Sequence, residues 1–176
     1  MSNEENEDCF DLLSRKILYH LHESLSMTDW TYMNESYREA PERKELYGFV
    51  YLITNLSDGR QYIGKKFFWS MKSRQVKGKK KRFLAESDWK EYWGSNDELK
   101  KDIEIGGYEN FRREILYLCS SKSECAYLEA KEQIERGVLL SKDYYNAWIS
   151  LKITKKHLQK YAEKQRCLQE QSSVII

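Results

Sequence analysis

The sequence predicts a small α+β domain: a short, mainly antiparallel three-stranded sheet flanked by helices, with helical extensions at both termini. Three observations predict it. Two runs rich in β-branched and aromatic residues, 48–54 and 60–64, flank the turn signal Asp58-Gly59 and read as a hairpin. Two capping boxes, Ser95 with Glu98 and Ser121 with Glu124, open helices. Between those helices FRREILYLC, residues 111–119, reads as a third strand.

A chain of 176 residues, 40% hydrophobic and with one proline, is long enough for one well-buried domain with appendages. No apolar run approaches the ~20 residues that span a bilayer. The acidic start MSNEENEDCF lacks the basic and apolar regions of a signal peptide, so a cytoplasmic location and no membrane partner are expected. The expected organisation is a helical extension and linker over 1–46, a domain over 47–148, and a helix and tail over 149–176.

Taken in order, Phe10, Leu13, Ile17 and Leu21 recur at helical spacing, and Leu18 and Leu25 widen the stripe, which predicts an amphipathic helix over 8–25. Residues 26–46 are polar and irregular and read as a surface linker. In the hairpin, pairing Thr54 with Gln61 would set Tyr51 opposite Gly64 and place Tyr62 on the same face. A slip of one residue would send the two tyrosines to opposite faces. Residues 65–82, KKFFWSMKSRQVKGKKKR, hold nine lysines and arginines and no acid, and read as a basic loop. A helix over 96–105 stops at Gly106-Gly107. The helix opened by Ser121 ends near Gly137 and carries Glu129 and Glu132. DYYNAW follows as a loop, then a lysine-rich amphipathic helix over roughly 153–168. The two terminal helices could mediate self-association.

Cys9, Cys119, Cys125 and Cys167 show no CxxC spacing, which argues against a zinc knuckle or a disulfide framework. His20 and His22 lie two apart, on different faces of a helix, and do not make a metal site.

FVY at 49–51 and YIG at 62–64 stand eleven residues apart from tyrosine to tyrosine, and this pair resembles the GIY-YIG nuclease family, with Phe-Val in place of Gly-Ile. YWGSNDELKKDIEIGGYENFRREIL, residues 92–116, is similar to the phage-borne, homing-endonuclease-like branch: a turn, a helix, a glycine stop and an Asn-Phe pair before the third strand. The resemblance covers about residues 47–147 and implies a metal-dependent DNA endonuclease that hydrolyses phosphodiesters by tyrosine-assisted water attack.

That resemblance also implies roles. Tyr51 and Tyr62 would stand at the attacking side, one activating the water and the other positioning it. Free tyrosine has a pKa near ~10, so an adjacent cation, Lys65, would favour the phenolate. Arg74, or Arg82, would clamp phosphate with its guanidinium fork. Glu129, with Glu132 as the substitute, would bind Mg²⁺ or Mn²⁺, and Asn146 would brace the site. Lys66, Lys72, Lys77, Lys79, Lys80, Lys81 and Arg82 would neutralise phosphates of double-stranded DNA, with Trp69 and Phe67 or Phe68 available for stacking or packing. The competing readings are a non-cleaving nucleic-acid-binding module, serving repair or packaging, and a protein–protein adaptor built on the terminal helices.

Overall fold

The turn at Asp58-Gly59 sets the register of the sheet. Gly59 takes a positive φ of 80°, and the strands leaving the turn pair Thr54 with Gln61 and Tyr51 with Gly64, the register expected from the sequence. The computed structural model describes residues 28–42, 45–76, 78–152, 154, 158–159 and 161–166. Within them the chain runs β1 (Trp30–Tyr32), β2 (Glu35–Tyr37), β3 (Gly48–Asn55), β4 (Gln61–Phe67), β5 (Trp69–Val76), β6 (Lys79–Glu86), α1 (Asp97–Gly106), β7 (Phe111–Cys119) and α2 (Lys122–Glu135). A single 3-10 turn, Tyr108–Asn110, joins α1 to β7.

The class is α+β as expected, but the sheet has five strands, ordered β2-β1-β7-β3-β4. It is mixed, because β1 pairs parallel to β7 while the other neighbours are antiparallel. β3 lies inside the sheet and every one of its eight residues is buried, which explains its nearly continuous apolar run. One face of the sheet carries Phe49, Tyr51 and Ile53 against Trp30, Trp89 and α1 residues Leu99 and Ile103. The other carries Val50, Leu52 and Ile63 against α2 residues Cys125 and Leu128. Helices on both faces let a short sheet bury both of its surfaces.

Two expectations are corrected. The linker predicted over 26–46 contains β1 and β2, joined through Met33 and Asn34 at φ of 51° and 67°. Positive φ at both central residues suits the twist of a two-residue hairpin, but methionine there is not a recognisable turn signal. Trp30 is 1% exposed, and its indole N–H donates to the Trp89 carbonyl at 2.8 Å. The predicted basic loop is a second, two-stranded sheet of β5 and β6, with Gly78 at φ 74° near its tip. Its cations alternate on β5, at Lys72 and Arg74, but run consecutively over Lys79, Lys80, Lys81 and Arg82 of β6, which erases there the period-2 pattern by which strands are read.

The helix predicted over 8–25 lies outside the described residues, and so does Lys77. Of the carboxy-terminal helix, residues 161–166 are helical, and Tyr161 packs on Tyr127 of α2 with ring centroids 5.5 Å apart. Cys119 and Cys125 are free, buried thiols. No helix among the described residues is long and apolar enough to cross a membrane.

If β1 is an integral strand, Trp30→Ala should cost about 3–5 kcal/mol, the usual range for emptying a buried tryptophan site. Urea unfolding of the full chain measures it. A loss under about 1 kcal/mol, typical of a surface substitution, would show that β1 packs only as an appendage.

Candidate active site

β4 is an edge strand, and its outer side is partly covered by residues 143–146. The Gln61 N–H donates to the Asp143 carbonyl and the Tyr145 N–H to the Gln61 carbonyl, both at 2.8 Å. Two residues on, a side-chain amide replaces the missing neighbour strand. Asn146 Oδ1 accepts from the Ile63 N–H at 3.0 Å, and its Nδ2 donates to the Ile63 carbonyl at 2.8 Å. Gln133 of α2 donates to the same carbonyl at 3.0 Å. Along this edge lies a cleft of about 530 Å³, lined by Tyr51, Tyr62, Lys65, Glu129 and Asn146 among others.

The phenols reach the cleft from one face of the sheet. Tyr51 lies across Gly64: a Cβ at position 64 would stand 2.4 Å from the Tyr51 hydroxyl and 2.6 Å from Cζ. The glycine of YIG is therefore the floor that lets the phenol reach the strand edge. Rings of Trp30 at 5.1 Å and of Tyr62 and Tyr92 at 6.1 Å hold Tyr51 in place. The Tyr62 hydroxyl meets Ser95 Oγ at 3.1 Å. The turn carrying Ser95 comes close because Gly94, at φ 88°, lacks a Cβ that would stand 3.2 Å from the Tyr62 ring. Asn96, not Ser95, caps α1, accepting from the Leu99 N–H at 2.9 Å. Ser95 is thereby left to face Tyr62.

Lys65 and Glu129 arrive from the opposite face. Alternation puts Lys65 on the side of Ile63, facing α2, where its ammonium donates to the Glu129 carboxylate. Only at an edge strand can groups from both faces share one cleft. Burial pushes the Tyr51 phenol well above the usual tyrosine range, and Tyr92, Tyr62 and Glu129 act in the same direction. Burial also raises Tyr62, against the opposing hydrogen bond from Ser95. Glu129 is raised by burial too, with Lys65 pulling it back. Lys65, expected beside a phenolate, has its ammonium on the Glu129 carboxylate in this arrangement.

Arg74 and Arg82 do not reach the cleft. Both lie on the two-stranded ribbon, where Arg82 pairs with Ser73 and the Arg74 guanidinium sits 5.4 Å from the Phe83 ring centroid. Glu132, the substitute for Glu129, is not in the cleft lining; it accepts from the Tyr117 hydroxyl at 2.5 Å and from Arg136 at 2.8 Å. Lys66 bonds Asp88 at 2.8 Å and lies 3.6 Å over the Tyr92 ring. Lys72, Lys79, Lys80, Lys81 and Arg82 are exposed on the ribbon. Sequence reasoning missed Tyr92, Ser95, Asn96, Gln133 and Trp148 in the cleft lining. Gln133 had a signal, since it lies four residues after Glu129 and so shares its helix face.

Among the described residues no three acids, histidines or cysteines cluster as a metal cage. Glu129 is the one carboxylate among the described residues of the cleft lining, and a single carboxylate in an open cleft suits a hydrated divalent cation that keeps most of its waters.

Gly64→Ala should destabilise the chain by about 1–3 kcal/mol, as overpacking does, because the ring above it is hemmed in on every side. A thermal melt reads this; an unchanged melting temperature would show that Tyr51 can lift away from the strand freely.

A family model described as "Putative endonuclease segE, GIY-YIG domain" matches residues 30–149. "Putative endonuclease segD" of Enterobacteria phage T4 is 36% identical over 100 residues, 57% of this chain and 37% of that protein. "Putative endonuclease segE" of the same phage is 32% identical over 101 residues, 57% of this chain and 40% of that protein. The aligned part therefore spans less than half the length of either relative. No solved structure matches the chain. The family match begins on the first residue of β1, takes in the seven described strands together with α1 and α2, and ends beyond the loop that closes the cleft: the chain belongs to the GIY-YIG endonuclease family, in its SegE branch.

Proposed function

We propose that the chain is a divalent-metal-dependent endonuclease that cuts double-stranded DNA by direct attack of water on the phosphodiester, acting in the cytoplasm. The observation that carries this reading is the meeting of two phenols, Tyr51 and Tyr62, with the Glu129 carboxylate in one cleft. Hydrolysis needs a water activated and positioned on one side of the phosphorus, and charge compensation on the other.

Glu129 would hold Mg²⁺ or Mn²⁺, which when bound supplies charge neutralisation at the phosphate and the leaving oxygen. The chain's own groups do the rest. The phenols form the attacking side, and Ser95 fixes the direction of the Tyr62 hydroxyl. Lys65 holds the Glu129 carboxylate toward the cleft. Asn146 keeps β4 and the 143–146 segment in register, so that the cleft retains its shape without a sixth strand.

Nicking of supercoiled plasmid tests the reading. Glu129→Gln should abolish Mg²⁺-dependent cleavage while duplex affinity stays nearly intact, because affinity comes mainly from phosphate contacts elsewhere. Equal rates in wild type and variant would remove Glu129 from the metal site. Wild type that binds DNA in Mg²⁺ yet never nicks would make the chain a binding module.

The base is identified separately. Below a phenol's pKa the phenolate fraction rises tenfold per pH unit, so base catalysis by a raised phenol makes cleavage climb with pH through the neutral and alkaline range. Tyr51→Phe should lower the rate roughly a hundredfold or more and lose that climb if Tyr51 takes the proton. If Tyr62→Phe alone loses it, Tyr62 is the base and Tyr51 the positioning group.

A further inference from the structure

The basic ribbon has two unequal faces. Its register pairs Lys72 with Phe83, Arg74 with Lys81, Ser73 with Arg82 and Gln75 with Lys80. Cross-strand partners share a face, and faces alternate along each strand. One face therefore carries Lys72, Arg74, Lys79 and Lys81 and no acid. The other carries only Lys80 and Arg82, with Glu86 at its base. The Arg74 guanidinium, 5.4 Å from the Phe83 ring centroid, is steadied on the richer face by that ring.

A line of charge leads from the cleft toward the base of the ribbon. Tyr92 lines the cleft, and the Lys66 ammonium lies 3.6 Å over its ring. Lys66 bonds Asp88 at 2.8 Å, and the Asp88 carboxyl is held below its usual range by Lys66 first and, among smaller contributions, by Lys72. On that face Lys72 is the cation nearest the base of the ribbon, and Arg74, Lys81 and Lys79 continue outward from it toward the tip. Same-face positions recur every ~6.7 Å along a strand. Duplex DNA offers one phosphate charge per ~1.7 Å of axis, so each cation on this face has a phosphate within reach.

We propose that the face of the ribbon bearing Lys72, Arg74, Lys79 and Lys81 seats the sugar–phosphate backbone of duplex DNA beside the cleft, and that Lys80 and Arg82 point away from it. The proposal rests on the endonuclease reading and sharpens it. Arg74 becomes a binding residue rather than a catalytic one, and charge on the ribbon matters by side, not by sum.

Two matched double variants of the full chain test it. Arg74→Gln/Lys81→Gln and Lys80→Gln/Arg82→Gln each remove one arginine and one lysine from neighbouring exposed positions. Their thermal melts should coincide with wild type. Affinity for a 30-base-pair duplex is measured in EDTA, without cleavage, over a salt series. Removing two phosphate contacts should reduce the slope of log affinity against log salt by about 1.8 for Arg74→Gln/Lys81→Gln. The other pair should lose less than half as much. Equal losses, or a larger loss from Lys80→Gln/Arg82→Gln, overturn the assignment of the face while leaving the endonuclease reading in place. No duplex binding by wild type overturns the DNA partner and the proposal together. Binding with the expected asymmetry but no nicking in Mg²⁺ supports the seated face and defeats only the cleavage.

Discussion

The site depends on one contact, the Tyr51 ring lying across the bare backbone of Gly64. A phenol on β3 is one strand in from the sheet edge, and it reaches the cleft only by passing over β4. Any side chain at position 64 would fill that path. The contact is itself a product of register, fixed by the Asp58-Gly59 turn, because a shift of one residue would put Ile63 or Lys65 beneath the ring. The turn, the pairing, the glycine and the phenol form one chain of dependence.

The second constraint is that β4 must remain an edge. Edge strands carry unpaired backbone groups that invite association with other chains. Here Asn146 and Gln133 satisfy Ile63 with side-chain amides, and residues 143–145 pair with Gln61. A sixth full strand would satisfy the same groups but would wall off the space where Tyr62 and Glu129 meet from opposite faces. Satisfying the edge with short amides leaves that space open.

What the sequence made legible was local. The hairpin, its register and the helices all announce themselves through turn residues, caps and periodicity within a few positions of each other. β1 was not legible, because its partner β7 lies some eighty residues on and parallel pairing leaves no turn signal between them. The ribbon was masked by its own cations. The cap of α1 moved one residue, from Ser95 to Asn96, and that small error concealed Ser95 beside Tyr62. Within the cleft, Tyr51, Tyr62, Lys65, Glu129 and Asn146 were singled out through the family resemblance and are brought together. Arg74 was singled out on the same grounds and is not. The difference is physical: Tyr51, Tyr62 and Glu129 sit on elements whose geometry the sequence announces, and Lys65 and Asn146 lie directly against β4, whereas Arg74 sits on a ribbon that the sequence does not announce.

Arg113 shows how a distant strand holds the cleft's far wall. It is 4% exposed, and burial lowers its pKa to about 10, which leaves it charged at neutral pH. Its guanidinium donates to the carbonyls of Lys90, Tyr92 and Thr28 and lies 4.0 Å from the Trp93 ring centroid and 4.7 Å from that of Trp30. A buried cation is costly unless its donors are met, and three carbonyls with two aromatic faces meet most of them. A lysine could supply the charge but not a planar fork that reaches three carbonyls while stacking between rings. Arg113 thereby ties β7 to the segment that carries Tyr92 and to the residue that enters β1. That tie couples β1, remote from the cleft in sequence, to the Tyr92 side of the cleft: Trp30 forms one of the two aromatic walls of the guanidinium that holds the Tyr92 carbonyl.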